Sequence, residues 1–198
     1  MEPRLPSAPG TSPFAALVQA ICPLPAASLA RLAPLAEHVA LPKGTALFTD
    51  ERLADDVYFL QHGLARAYAR RADREVTFWF SGDGAVLVSI RSYIERAISY
   101  ETIELLEDSQ LYRVSARALQ ALYATDVHLA NWGRVLVEQC WLQTEQQLIA
   151  RQFKTATERY EELLRHNPQL LQRVALGHIA SYLGISQVTL SRVRAALK

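Results

Sequence analysis

The chain has 198 residues, 50% of them hydrophobic and 21% charged, with a formal net charge of +1. That length and apolar content suit one compact unit or two small ones with a real core, and exclude a disordered chain. The near-zero net charge does not mark the whole molecule as a polyanion binder, but the charge is uneven. Residues 151–198 hold eight Lys/Arg and three Asp/Glu, against 13 and 17 in the preceding 150, so a tail of +5 follows a body of −4. A basic C-terminal piece on an acidic body points to a nucleic-acid contact at that end.

Residues 1–13 contain Pro3, Pro6, Pro9 and Pro13 and read as a flexible N-terminal arm. "PFAALVQAIC" has the look of a signal-peptide core, but Gln19 interrupts it and Pro23 and Pro25 follow, so it reads as a helix. No apolar run approaches the roughly 20 residues of a membrane span. Residues 14–37 predict two short helices broken by "CPLP". The texture then changes to short apolar or alternating runs: "HVALPKGTALF", "DDVYFLQHG", "LARAYARR", "EVTFWFS", "YETIELLED" and "SQLYRVS". Gly44, Gly63, Asp73, Gly82 and Gly84 bound them. Closely spaced short strands with glycine-marked turns indicate an antiparallel barrel, roll or sandwich. "SARALQALYAT" follows as a helix.

Residues 126–153 contain no proline and only Gly133, and predict one helix about 40 Å long. Trp132, Val135, Leu142, Ile149 and Phe153 lie near one seam, with Val137, Trp141 and Leu148 elsewhere. A helix apolar on more than one side must be covered on more than one side. Two readings fit: a central core helix, or a helix packed on its own barrel and on its twin in a dimer. Thr155 and Glu158 have capping-box spacing. Asn167-Pro168 offers an N-cap with proline at the first helical position.

Residues 176–198 carry a two-helix corner. Leu176, Ile179, Ala180 and Leu183 form one inward stripe, and Leu190, Val193 and Leu197 form a second. Gly184 can take positive φ at the corner, and Ala180 must be small where the helices cross. Ile185 plugs the corner and Ser186 caps the next helix. This is the helix-turn-helix pattern, whose second helix lies in the DNA major groove. Gln187, Val188 and Arg192 are candidate base readers, alongside Ala195 and Ala196. Thr189, Ser191, Arg194, Lys198 and the helix start at Ser186 are placed to reach phosphates.

The sequence resembles the Crp/Fnr family of bacterial transcription regulators. "KGTALF" (43–48), "DDVYFLQHGLARAY" (55–68), "EVTFWFSGDG" (75–84) and "IELLEDSQLYRV" (103–114) match the family's cyclic-nucleotide-binding β-roll in order and spacing. "ERYEELLRHNPQLLQRVALGHIASYLGISQVTLSRVR" (158–194) matches its DNA-binding domain. The resemblance implies an α+β fold. A jelly-roll-like β-roll with flanking helices would occupy 14–125, and a dimerisation helix 126–153. A helix-turn-helix domain at 154–198 would have no wing or a very short one. It also implies a homodimer that binds an inverted repeat of double-stranded DNA and contacts RNA polymerase. Cys22 and Cys140, far apart and outside CxxC spacing, fit a reducing, cytoplasmic setting. With the recognition helix as the most recognisable polar face, an enzyme is not expected.

Two departures qualify the resemblance. Family members that bind cyclic nucleotides use Gly-Glu early and Arg-Ser or Arg-Thr late in a phosphate cassette. Here the segment is "GDGAVLVSIRSYIERAISYETIELLED"; counting back from "ELLED" puts the Arg position on or near Ser99 and Gly-Glu on Val86-Leu87, with Arg91 and Arg96 out of register. A buried phosphate without a cationic partner is costly, so cyclic AMP is not expected and the effector is left unassigned. Nor do Cys22 and Cys140 form the cysteine cluster of the family's iron–sulfur sensors, and none of the five histidines stands out as a metal or haem ligand. No cofactor is expected. A rival reading is a small-molecule-binding module whose helical tail docks a protein partner.

Overall fold

The computed structural model describes residues 12–71 and 74–196. They divide into two compact units. One contains residues 12–67 and 80–139; the other contains 140–196 with 68–71 and 74–79.

The first unit opens with α1 (Pro13–Ile21), whose N-cap Ser12 accepts a hydrogen bond from the Ala15 amide. Proline at the first helical position costs nothing there, because its missing N–H would have had no partner. α2 (Ala26–Leu32) follows, with a 3-10 turn at Ala33–Leu35. The strands are β1 (Glu37–Leu41), β2 (Ala46–Phe48), β3 (Asp56–His62), β4 (Ala65–Arg71), β5 (Arg74–Ser81), β6 (Val86–Leu87), β7 (Glu101–Leu105) and β8 (Ser109–Ser115). They form two four-stranded sheets, ordered β1-β8-β3-β6 and β2-β7-β4-β5. Val57, Tyr58, Phe59 and Leu60 are all buried in β3, which lies between β8 and β6. A strand covered on both faces has no reason to alternate. The fold is therefore the antiparallel β-roll with helices that the sequence predicts.

One element escaped the sequence reading. α3 (Ile90–Glu95) interrupts the strands within "VSIRSYIER" and ends on Arg96 in the left-handed region, at φ 54°.

α4 (Ala116–Thr125) leads into α5 (Val127–Phe153). Asp126 joins them: it accepts hydrogen bonds from the amides of His128 and Leu129 and from the hydroxyl of Ser28, and pairs with Arg31 at 3.0 Å. Burial pushes its carboxyl up. The donors, together with Arg31, outweigh that and hold it below the usual carboxylate value.

Trp132 does not lie on a dimer seam. It is fully buried in the first unit's core with Phe14, Val18, Phe59 and Leu129, and its indole N–H donates to the Val18 carbonyl at 2.9 Å. A large aromatic with a satisfied polar edge gains most where it is covered on all sides, and α1 and β3 provide that cover. Next to it, a Cβ at Gly133 would stand 2.8 Å from Cζ of the Tyr123 ring. Gly133→Ala is therefore expected to destabilise the first unit by about 1–3 kcal/mol, as overpacking does, despite alanine's better helix propensity. A denaturant melt followed by tryptophan fluorescence measures it, and an unchanged midpoint would mean that the Tyr123 ring yields freely.

In the second unit, α6 (Ala156–His166) starts with the full capping box between Thr155 and Glu158. Asn167 does not cap a following helix. It closes α6, its amide donating to the Leu163 carbonyl, and α7 (Leu170–Arg173) begins only after the turn at 168–169. α8 (Leu176–Leu183) and α9 (Gln187–Ala196) complete the unit. Among the described residues, no helix is long and apolar enough to cross a membrane, and no group of His, Cys, Asp and Glu could hold a metal ion.

Candidate nucleic-acid interface

α8 and α9 form the predicted corner. Ile179, Ala180 and Leu183 on α8 and Leu190 and Val193 on α9 are buried, and Tyr160 and Leu163 of α6 are buried in the same unit. Gly184 takes φ 70°, and the Ile185 amide donates to the Ala180 carbonyl at 3.0 Å. A Cβ at Gly184 would meet nothing, so the backbone angle and not crowding selects glycine. Leu176 departs from expectation. It is 38% exposed because it opens α8, a turn ahead of the crossing point. Leu197, the last residue of the predicted inward stripe, lies outside the described residues.

With Leu190 and Val193 turned inward, the opposite face of α9 is set. Val188, Ser191, Arg192 and Ala195 follow the i, i+3, i+4, i+7 spacing of a single helix face, and all four are exposed. Val188 is 61% exposed. Among the described residues Arg192 has no ion-pair partner. Thr189 and Arg194 are half-buried at the flanks, and Lys198 lies outside the described residues. The Ser186 hydroxyl accepts from the Thr189 amide at 3.1 Å and lies 2.9 Å from the Thr189 hydroxyl, so both residues are occupied in capping the helix.

Gln187 is exposed but folds back over α8. A Cβ at Gly177 would run into its carboxamide nitrogen. The carboxamide is the end of a flexible side chain, so Gly177→Ala is expected to fold normally and to turn Gln187 off α8. Nuclear magnetic resonance of the Gln187 side-chain amide checks this: its signals should shift towards solvent-exposed values, while an unmoved resonance would show the side chain held elsewhere.

Ser181, which the sequence reading did not single out, donates its hydroxyl to the Glu75 carbonyl and accepts from the Thr77 amide, both at 2.9 Å. β5 ends its sheet, and an unpaired strand edge needs such partners. Only the pairing itself, which sequence does not print, could have revealed this role.

α5 carries the other surface of interest. Val135 is half-buried, whereas Leu142, Ile149 and Phe153 are 55%, 46% and 76% exposed. Val137, Trp141 and Leu148 on the adjoining flank are 59%, 73% and 55% exposed. Six large apolar side chains on one helix are more than scattered surface residues. Trp141 and Leu148, placed off the seam by the sequence, are as exposed as Leu142 and Ile149.

The segment between β6 and β7 has distinct chemistry. Val86 and Leu87 form β6 and pair with Phe59 and Tyr58. Ser99 and Glu101 are 5% and 7% exposed, with Tyr100, at a bend between them, 62% exposed. Glu101 accepts a hydrogen bond from the buried Ser89 hydroxyl at 2.8 Å, and the Ser99 hydroxyl has no hydrogen-bond partner among the described residues. The nearby guanidinium groups are engaged. Arg91 bonds Glu95 at 2.9 Å, Arg96 bonds Asp55 at 2.6 Å, and the buried Arg66 pairs with Glu104 at 2.7 Å. The hydrogen bond from Arg96 holds the Asp55 carboxyl below its usual value.

Residues 38–126 match the cyclic nucleotide-binding domain family. The solved structure of FixK2 from Bradyrhizobium japonicum superimposes with a TM-score of 0.71 at 20% identity, covering 82% of this chain and 84% of that one. The c-di-GMP-responsive global regulator CLP of Xanthomonas campestris gives 0.69 at 21%, over 87% and 91%. A protein from Eubacterium rectale assigned to the Crp/Fnr family of transcriptional regulators gives 0.70 at 17%, over 86% and 82%. The chain has the Crp/Fnr fold. No curated protein matches the sequence. The Crp/Fnr fold places a β-roll before α5 and a helix-turn-helix after it, which is the order of the two surfaces and the polar segment described above.

Proposed function

We propose that the chain is a dimeric, sequence-specific DNA-binding transcription regulator whose α9 enters the major groove. The observation that carries this is the α9 face: Val188, Ser191, Arg192 and Ala195 stand exposed while the other side of the helix is locked onto α8. A short helix held rigidly, with a guanidinium and a methyl-bearing side chain outward, has the chemistry that reads guanine and thymine edges. The exposed apolar flanks of α5 support a second copy of the chain as its partner, and a two-fold dimer would read an inverted repeat.

The β-roll is a candidate effector site, and cyclic AMP is not its ligand in this reading. A cyclic phosphate needs a buried cation. Ser99 stands where the family's arginine would lie, and Arg91, Arg96 and Arg66 are each held by a carboxylate. Binding of labelled duplex DNA at increasing salt tests the proposal. Affinity should fall linearly on a log–log plot, with a slope of about −0.9 for every phosphate neutralised. No binding at low salt would defeat it and favour a tail that docks a protein.

A further inference from the structure

We propose that the segment around Ser89, Ser99 and Glu101 is a binding site for a small organic cation, an amine or amidine, and that it rejects cyclic phosphates. This rests on the β-roll being an effector site and says what that site takes. Glu101 is the deciding group. It is a carboxylate buried to 7% exposure, and among the described residues the Ser89 hydroxyl donates to it. An ionised carboxylate offers about four acceptor positions across its two oxygens, so a single hydroxyl leaves most of that capacity for a ligand. Burying a charge without compensation is unfavourable, and the arginines that could supply it are committed to Glu95, Asp55 and Glu104.

The second observation is independent of the first. The Ser99 hydroxyl is buried and has no hydrogen-bond partner among the described residues. Ser99 stands two residues before Glu101, with a bend at Tyr100 between them, and both side chains are buried. A ligand with two donor-bearing ends could meet both, and a guanidinium would suit Glu101 through paired N–H bonds. The same carboxylate repels a phosphate placed between the two residues. A site that reverses the charge preference of its fold needs only these substitutions, because function resides in the side chains set on a scaffold.

Calorimetry on the full-length chain without DNA tests the inference, using agmatine, which has a guanidinium at one end and an ammonium at the other, and cyclic AMP. Agmatine should give a saturable isotherm with wild type. Its affinity should fall about tenfold or more in Glu101→Gln and be largely kept in Glu101→Asp, and cyclic AMP should give no heat. Should Glu101→Gln fail to fold by circular dichroism, Ser99→Lys supplies the second variant: a cation beside Glu101 should abolish agmatine binding. Equal agmatine binding by wild type and the folded variants would overturn the inference. So would cyclic AMP binding to wild type, which would leave the effector site standing with the opposite chemistry. Silence from both probes would remove the cation site and leave the effector reading and DNA binding standing.

Discussion

Replacing Leu142 and Ile149 together with glutamate should leave the chain monomeric and without specific DNA binding. In the single chain these side chains are 55% and 46% exposed, so the substitutions should barely disturb folding of one copy. In a two-fold dimer built on α5 they become four carboxylates at a desolvated seam. Each buried unpaired charge costs several kcal/mol, so the dimer dissociation constant should rise by more than about a thousandfold. A monomer presents one α9 to one half-site and loses the gain of binding both at once. Sedimentation equilibrium measures the assembly, and duplex binding on the same samples measures the consequence. An unaltered dimer would take Leu142 and Ile149 out of the seam and assign it to the Trp141 and Leu148 flank. Trp132→Glu would be uninformative by comparison, because Trp132 holds the core of the first unit.

Arg192→Ala should produce the largest single-residue effect on recognition. A bidentate arginine–guanine contact is worth about 1–3 kcal/mol, and a dimer makes it twice, so the preferred site should lose roughly 2–6 kcal/mol. The loss should be confined to one base step in each half-site: substituting that base should hurt wild type and leave the variant almost indifferent. Arg194→Ala should behave differently. Arg194 is half-buried on the flank of α9, and a phosphate contact from there carries no sequence code. All duplexes should weaken alike, with a shallower salt slope. A panel of single-base variants, measured with wild type and both substitutions, separates the two roles. A uniform loss with Arg192→Ala would make Arg192 a backbone contact and move the reading to Gln187 and Val188.

Much of this was legible because local rules and the fold agree. Gly184, Ser186, Leu190 and Val193 each have a local reason for their identity, and the corner they predict is the corner that forms. The capping box at Thr155 is likewise a short-range matter. Trp132 shows where such reasoning stops. Its place on the α5 wheel is close to Val135 and Leu142, but burial depends on α1, about 114 residues earlier in the chain, whose Val18 carbonyl receives its indole N–H. Asn167 has the spacing of a helix start, yet its amide closes the preceding helix first. Ser181 and Glu101 are ordinary residues in sequence. The β5 edge gives the first its role, and burial beside the Ser89 hydroxyl the second; both are tertiary facts.

The central claim is that two copies of α9 read DNA as a pair. Selection of bound duplexes from a random pool by the wild-type chain tests it most directly. The selected sites should form an inverted repeat whose half-site centres lie about 34 Å apart, one helical turn. Enrichment of a single unrepeated motif, or none above the starting pool at low salt, would contradict it.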